Sequence, residues 1–198
     1  MTGQDPALQK KAARRRAREV LAQMPPDAAA RKSRQACQAL MGLVEFRRAQ
    51  VVMLYLPIRG EVDTAAIAVR AWQDGKTVLL PKVRPQQGDM IAVPYRTVDD
   101  PMVVGRYNIQ EPAADDAWPV DRIDLIVVPA LAYDRNGNRL GKGCGHYDRF
   151  LAQPGIRAAA CGLAFAEQII ESVYVQPHDR KIPLLVTDQG VLRFDPGS

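Results

Sequence analysis

Leu125-Ile126-Val127-Val128-Pro129 leads into Asn136-Gly137-Asn138-Arg139-Leu140-Gly141-Lys142-Gly143-Cys144-Gly145-His146-Tyr147-Asp148. The first stretch is a short, unbroken apolar run and reads as a buried strand. The second interleaves four glycines with two cations, and a helix is expected from Tyr147 to Gln153. Strand, glycine-rich loop and helix start are the parts of a phosphate cradle. Glycine lets backbone N–H groups come close to an anion, and a helix N-terminus adds unpaired donors and positive dipole. The pattern points to a nucleotide.

Outward from this centre, short apolar runs alternate with helical patterns. Strands are expected at 51–56, 77–80, 90–95, 158–163 and 184–187. A helix starting at Asp63 or Thr64 runs through Gln73, with Gly75 as its stop. The chain begins with a helix capped by Asp5-Pro6 and ended by Pro25-Pro26. A second helix follows, capped by Asp27 and ending near Val44, while the Pro/Gly/Asp-rich stretch 99–120 reads as irregular. The expected fold is α/β: a single domain over 1–198, a mostly parallel sheet flanked by helices, and an N-terminal helical extension.

At 198 residues, a chain of this kind buries about 70% of its unfolded surface. No apolar run reaches membrane-spanning length and no apolar signal region follows the basic N-terminus, so a cytoplasmic protein with no membrane partner is expected. Cys37, Cys144 and Cys161 show no ligand spacing, and His146 and His178 stand far apart, which argues against structural zinc. The net charge of +5 is concentrated at one end: residues 1–50 hold 11 Lys/Arg against 4 Asp/Glu. Such a surplus suits polyanions, phosphorylated ligands or polycarboxylates.

The glycine loop is neither a Walker A motif nor the dinucleotide fingerprint, because the glycine spacing differs and no Ser/Thr follows Lys142. Arg139 and Lys142 suit phosphate oxygens, and Asp148 suits Mg²⁺, a hard cation that takes oxygen ligands. Arg59, Glu61 and Asp63 follow an expected strand, where ligands of open α/β sheets bind; Asp63 could equally only cap the next helix. Lys10, Arg14 and Arg18 recur every four residues on one helical stripe, either a solvated face or a DNA-binding one. No helix-turn-helix pattern or aromatic interleaving supports nucleic-acid binding. His178-Asp179 has no Gly-x-Ser-x-Gly nucleophile to complete a hydrolase triad.

Arg139-Leu140-Gly141-Lys142-Gly143-Cys144-Gly145-His146-Tyr147-Asp148-Arg149 resembles the Arg-Leu-Gly-x-Gly-x-Gly-Tyr-Tyr-Asp-Arg signature of the 5-formyltetrahydrofolate cyclo-ligase family. Lys10-Lys11-Ala12-Ala13-Arg14 is similar to that family's opening basic helix, and Glu61-Val62-Asp63-Thr64 to its Glu-Val-x-Thr segment. The run from Gly105 through Tyr107 and Ile109 to Glu111-Pro112 resembles its Gly-Ile-x-Glu-Pro region. Gly162-Leu163-Ala164, Gln168, His178-Asp179 and Thr187 fall in the order of its C-terminal part. The likeness covers about residues 10 to 190.

The resemblance implies a ligase that uses Mg-ATP to convert 5-formyltetrahydrofolate, with or without a polyglutamate tail, to 5,10-methenyltetrahydrofolate; a monomer is expected. By position, Lys10, Lys11 and Arg14 would bind the nucleotide together with Arg139, Leu140, Gly141, Lys142, Gly143, Cys144, Gly145, His146 and Tyr147. Leu56, Glu61, Lys142, Gly143, Cys144, Gly145 and His146 would meet the folate. Asp148 and Asp179 would hold Mg²⁺, with Arg139, Lys142 and Tyr147 as the catalytic set. His146 stands where the signature has its first tyrosine, and Gly105-Arg106-Tyr107 departs from the glycine placement before Ile109. The alternatives are a nucleotide-binding relative acting on another small molecule, and a nucleic-acid module built on the basic N-terminus.

Overall fold

A computed structural model of the chain describes residues 6–105, 108–176 and 179–194. Asp5, Arg106, Tyr107 and His178, named above, lie outside the described residues. The centre is a seven-stranded sheet in the order β11-β10-β9-β6-β1-β2-β3. Its strands are β1 (Val51–Met53), β2 (Thr77–Arg84), β3 (Asp89–Pro94), β6 (Leu125–Val128), β9 (Ala159–Ala164), β10 (Leu184–Thr187) and β11 (Gly190–Arg193). Strands β10, β9, β6, β1 and β2 pair in parallel, and β3 and β11 close the two edges antiparallel. The α/β expectation holds.

Alternation explains the apolar runs. Leu125 and Val127 join one core cluster, with Val52 and Leu54; Ile126 and Val128 join another, with Met53 and Leu79. Successive side chains leave opposite faces of a strand, so a strand covered on both sides is apolar throughout. The first cluster is closed by helices α2 (Pro26–Met41), α3 (Val44–Arg48) and α4 (Ala65–Gln73), through Cys37, Leu40, Phe46 and Ile67. The second is closed by α5 (His146–Leu151) through Phe150. Each fully buried Leu or Ile contributes about 1.5–3 kcal/mol.

Several boundaries differ from expectation. The second helix stops at Met41 because Leu43, nearly buried, turns extended to reach the core, and α3 restarts beyond it. Its N-cap is Pro25, while Asp27 sits in the first turn, where a carboxylate favours the helix dipole. Thr64, not Asp63, is the N-cap of α4, although Asp63 Oδ1 accepts the Ala65 N–H. The first strand ends at Met53 and the second runs on to Arg84. Within 99–120, β4 (Met102–Val104) and β5 (Gln110–Pro112) form an antiparallel hairpin that packs on β2.

The chain visits β1, then β2 on one side, then returns to β6 on the other. The connections leaving β1 and β6 therefore diverge to opposite flanks. In open α/β sheets the crevice at such a reversal, beyond the carboxyl ends of the strands, is where ligands bind. No helix of the described residues is long and apolar enough to cross a membrane.

Candidate active site

Two connected hollows occupy this crevice. One, of about 560 Å³, is basic; the other, of about 920 Å³, is mostly apolar. Both are lined by Arg139, Gly141, Cys144, Gly145 and Asp148, so the glycine loop is their common wall.

That loop is aimed by a tight turn. Asp134, 2% exposed, accepts the N–H groups of Asn136 and Asn138 and the Asn138 side-chain amide. The turn folds β8 (Arg139–Leu140) back onto β7 (Ala132–Tyr133), a hairpin the sequence reading missed. Arg139 leaves it with its side chain 3% exposed, and Nη2 donates to Asp148 Oδ1 at 2.6 Å. Gly143 and Gly145 follow with φ of 113° and 64°, a region where a side chain is strained. Helix α5 then starts at His146, one residue early, and ends at Leu151 rather than Gln153.

Helix α1 (Pro6–Ala22) lies across the basic hollow. Lys10, 5% exposed, sends Nζ to Asp179 Oδ2 at 2.6 Å and to Gln176 Oε1 at 2.9 Å. One turn on, Arg14 Nε donates to the Gly141 carbonyl, and its guanidinium lies over the bare face of Gly143. Lys10 and Arg14 are thus wall residues of the basic hollow, and Arg18, though exposed, lines the apolar one. Lys11 points elsewhere: it is exposed and lines neither hollow. Arg149 and Arg180 complete the basic lining.

The apolar hollow is framed by the two diverging connections. After β1, the Thr64 hydroxyl donates to Tyr55 O and the Tyr55 hydroxyl to Val62 O. This pinned loop sets Glu61, whose Oε2 accepts the Ile58 N–H at 3.1 Å. After β6, the Gln168 amide holds Ala130 O at 2.7 Å. Lys142 Nζ stands 2.6 Å from Glu61 Oε1, a charge contact without hydrogen-bond geometry, so among the described residues that oxygen has no hydrogen-bond partner. The Tyr147 hydroxyl and Arg139 Nε are likewise buried without hydrogen-bond partners among the described residues. Burial, and then the Glu61 charge, hold the Tyr147 phenol far above its ordinary range, with Arg139 opposing. Buried polar atoms normally find partners, so three orphans around one cavity mark a site that a ligand completes.

Of the residues singled out from sequence, Lys10, Arg14, Leu140, Gly143 and Asp179 line the basic hollow alone. Leu56, Glu61, Lys142, His146 and Tyr147 line the apolar one alone. Gly143, expected to serve both, lies on the basic side because its open face is turned to Arg14. Asp148 and Asp179 line the same hollow, and each already faces a cation. Among the described residues no group of three or more His, Cys, Asp or Glu could hold a metal. Two carboxylates facing a phosphate-sized basic cleft still fit Mg²⁺, which takes one or two carboxylates and completes its shell with phosphate and water. Sequence reasoning missed Gln176 and Arg180, which carry no local motif. Arg149 was quoted within the signature but given no role, although it lies one helical turn after His146.

Comparison with known proteins agrees with this geometry. The model of the 5-formyltetrahydrofolate cyclo-ligase family matches residues 7–188. The 5-formyltetrahydrofolate cyclo-ligase of Escherichia coli K12 is 31% identical over 172 residues, covering 85% of this chain and 94% of its own. That of Haemophilus influenzae is 31% identical over 150 residues, covering 74% and 79%. The NMR structure of Aquifex aeolicus 5,10-methenyltetrahydrofolate synthetase superposes with a TM-score of 0.82 at 28% identity, covering 96% of this chain and 94% of that one. The family match along most of the chain defines an enzyme of the ligase class. The chain belongs to the 5-formyltetrahydrofolate cyclo-ligase family.

Proposed function

We propose that this enzyme converts 5-formyltetrahydrofolate to 5,10-methenyltetrahydrofolate, with ATP turned over to ADP and phosphate. The observation that carries the reading is the shared wall: a basic cleft and a larger, mostly apolar cavity meet at one glycine loop. A phosphoryl donor in the first would thus stand next to an aromatic, ring-shaped acceptor in the second.

The chemistry needs that adjacency. The N5-formyl group is amide-like, its oxygen leaves poorly, and N10 is a weak nucleophile. Transfer of the γ-phosphoryl group to the formyl oxygen makes the carbon electrophilic. N10 then attacks that carbon and gives up its proton, and the oxygen departs with the phosphate. Holding both partners in one crevice replaces encounters in solution by a single fixed geometry.

In this reading Lys10, Arg14 and Arg139 hold phosphate oxygens, joined by loop N–H groups at Gly143 and Gly145. The protein's contribution to phosphoryl transfer is then placement and charge neutralisation. Asp148 and Asp179 would hold Mg²⁺, whose charge offsets that of the phosphates. Lys142 bridges the two compartments: its ammonium balances Glu61 while its backbone belongs to the loop. Glu61 Oε1 and the Tyr147 hydroxyl, which have no hydrogen-bond partner among the described residues, would bond the bound folate. Leu56 supplies apolar wall on the same side. The reading carries with it a cytoplasmic setting and a monomer acting on reduced folates, polyglutamylated or not.

The test is direct. Protein, Mg-ATP and 5-formyltetrahydrofolate are mixed, and the methenyl chromophore is followed by absorbance. Chromophore formation that requires ATP is the expected result. A folded protein that binds ATP yet forms none would assign the site to another small molecule.

A further inference from the structure

Three carboxylates line the apolar hollow, and they are not equivalent. Asp148 is engaged by Arg139, and Glu61 faces Lys142. Glu111, on β5, is 7% exposed and makes no ion pair among the described residues. The nearby ammonium of Lys82 is held by Ala113 O and Ala114 O at 2.9 Å each and by Asp115 at 2.8 Å.

The seat of Glu111 is built. The β4–β5 hairpin is closed by Gly105 N–H donating to Ile109 O, with Asn108 in the left-handed region. The Glu111 carboxyl lies in the lap of Gly105, where a Cβ would come within 2.5 Å of its carbon and one oxygen. No other residue type leaves that room. Burial holds this carboxyl above its ordinary range, with the Val83 backbone and the Lys82 charge pulling the other way.

A buried carboxyl fixed in a ligand cavity without a cation is costly unless the ligand brings donors. The donors it fits best are two parallel N–H groups, which meet a carboxylate bidentately. A 2-amino-4-oxo-pteridine offers such a pair on its 2-amino and N3 edge. We propose that Glu111 is a specificity-determining residue that takes this donor edge, an inference that rests on the folate reading above. It also orients the substrate. Glu61, tied to the glycine loop through Lys142, is left for the reduced ring nearer the reacting atoms. A carboxylate-bearing tail, repelled by Glu111, is directed toward Arg18 and Arg59, two exposed cations on the cavity lining.

The experiment is calorimetric binding, without ATP, of 5-formyltetrahydrofolate and of its analogue carrying 2-methyl in place of 2-amino. Wild type should prefer the amino compound by about tenfold or more, because a site built to bond a donor rejects the ligand lacking it. Glu111→Ala should bring the two affinities to within about twofold of each other, chiefly by weakening the amino compound. Glu111→Gln keeps the shape but sets an amide N–H₂ against the ligand donors, so it should also erase the preference. Equal weakening of both ligands would make Glu111 merely structural, and an undiminished preference in either folded variant would overturn the proposal. A folded wild-type protein that binds neither compound refutes the folate reading instead, and the proposal falls with it. Circular dichroism separates an unfolded Glu111→Ala from a weakened one, and Glu111→Gln then decides.

Discussion

The two hollows are built by opposite means. The basic one is made of charge and bare backbone: five cations (Lys10, Arg14, Arg139, Arg149 and Arg180), positive-φ glycines, and carboxylates already balanced by Lys10 and Arg139. The apolar one is made of side-chain wall, with polar atoms left open at Glu61, Tyr147 and Arg139. The first resembles a site whose electrostatics stand ready before the ligand arrives; the second waits for a ligand to complete its hydrogen bonds. The difference teaches how, in the proposed reading, one loop serves two ligands. Gly143 turns to the basic hollow, while Lys142, His146 and Tyr147 line the apolar one. Substitutions should therefore separate into those that change ATP use, those that change folate use, and those on the shared wall that change both.

Arg139 tests the shared wall and carries the largest expected effect. It lines both hollows, lies almost fully buried, and is held by Asp148. Arg139→Ala removes a preorganised cation and leaves a carboxylate without its partner. Turnover should fall about a thousandfold. Arg139→Lys should not restore it, since a point charge cannot reproduce the planar guanidinium. The check is steady-state kinetics on both substrates; a loss confined to the KM of one would put Arg139 in a single compartment.

Lys10 tests the basic side alone. A charge-assisted contact contributes about 1.5–3 kcal/mol, so Lys10→Ala should raise the KM for ATP about 10- to 150-fold. The KM for folate should stay near its wild-type value. Since Lys10 is already paired with Asp179 in the free protein, binding exchanges one anionic partner for another, and the low end of the range is expected. If ATP saturation is unchanged, the Lys10–Asp179 pair is only a clasp between α1 and the segment before β10.

Glu61→Gln is the converse. It removes the charge that faces Lys142 while keeping an acceptor for the Ile58 N–H. The KM for folate should rise about tenfold, equivalent to about 1.4 kcal/mol, with the KM for ATP nearly unmoved. A rise for ATP instead would mean that Lys142, released from Glu61, matters chiefly to the phosphates.

How much of this can be read without coordinates follows from range. The central strands are visible because burial on both faces makes them continuously apolar, as at Leu125–Val128. The Lys10, Arg14, Arg18 spacing is visible because helical period is local. The β7–β8 and β4–β5 hairpins are not, since two- or three-residue strands are too short to display alternation. Nor is the pairing of Lys10 with Asp179, separated by 169 positions, or the solitary state of Glu111, which depends on Lys82 being engaged elsewhere. Local chemistry names candidate groups; their partners are set by topology.

The smallest effect comes from a pair outside both hollows and serves as their control. Arg193 on β11 meets Glu45 on α3 through both carboxylate oxygens, at 2.6 and 3.2 Å, with the arginine 57% exposed. The Arg193 hydrogen bond holds the Glu45 carboxyl below its ordinary range, with the lesser effect of burial working against it. A lowered carboxyl contributes stability above its unfolded pKa, about 4.3, and that contribution is lost as pH falls through the folded value. Exposed pairs are screened, so Glu45→Gln should cost less than about 1 kcal/mol at pH 7. Urea melts of variant and wild type should differ slightly at pH 7 and converge as the pH falls through the lowered folded pKa of Glu45. Turnover should be unaffected at either substrate, because the pair joins an edge strand to a helix on the far side of the core. A change in kcat here would mean that sheet edge and crevice are coupled, and would blur the separation that the Lys10 and Glu61 variants are meant to draw.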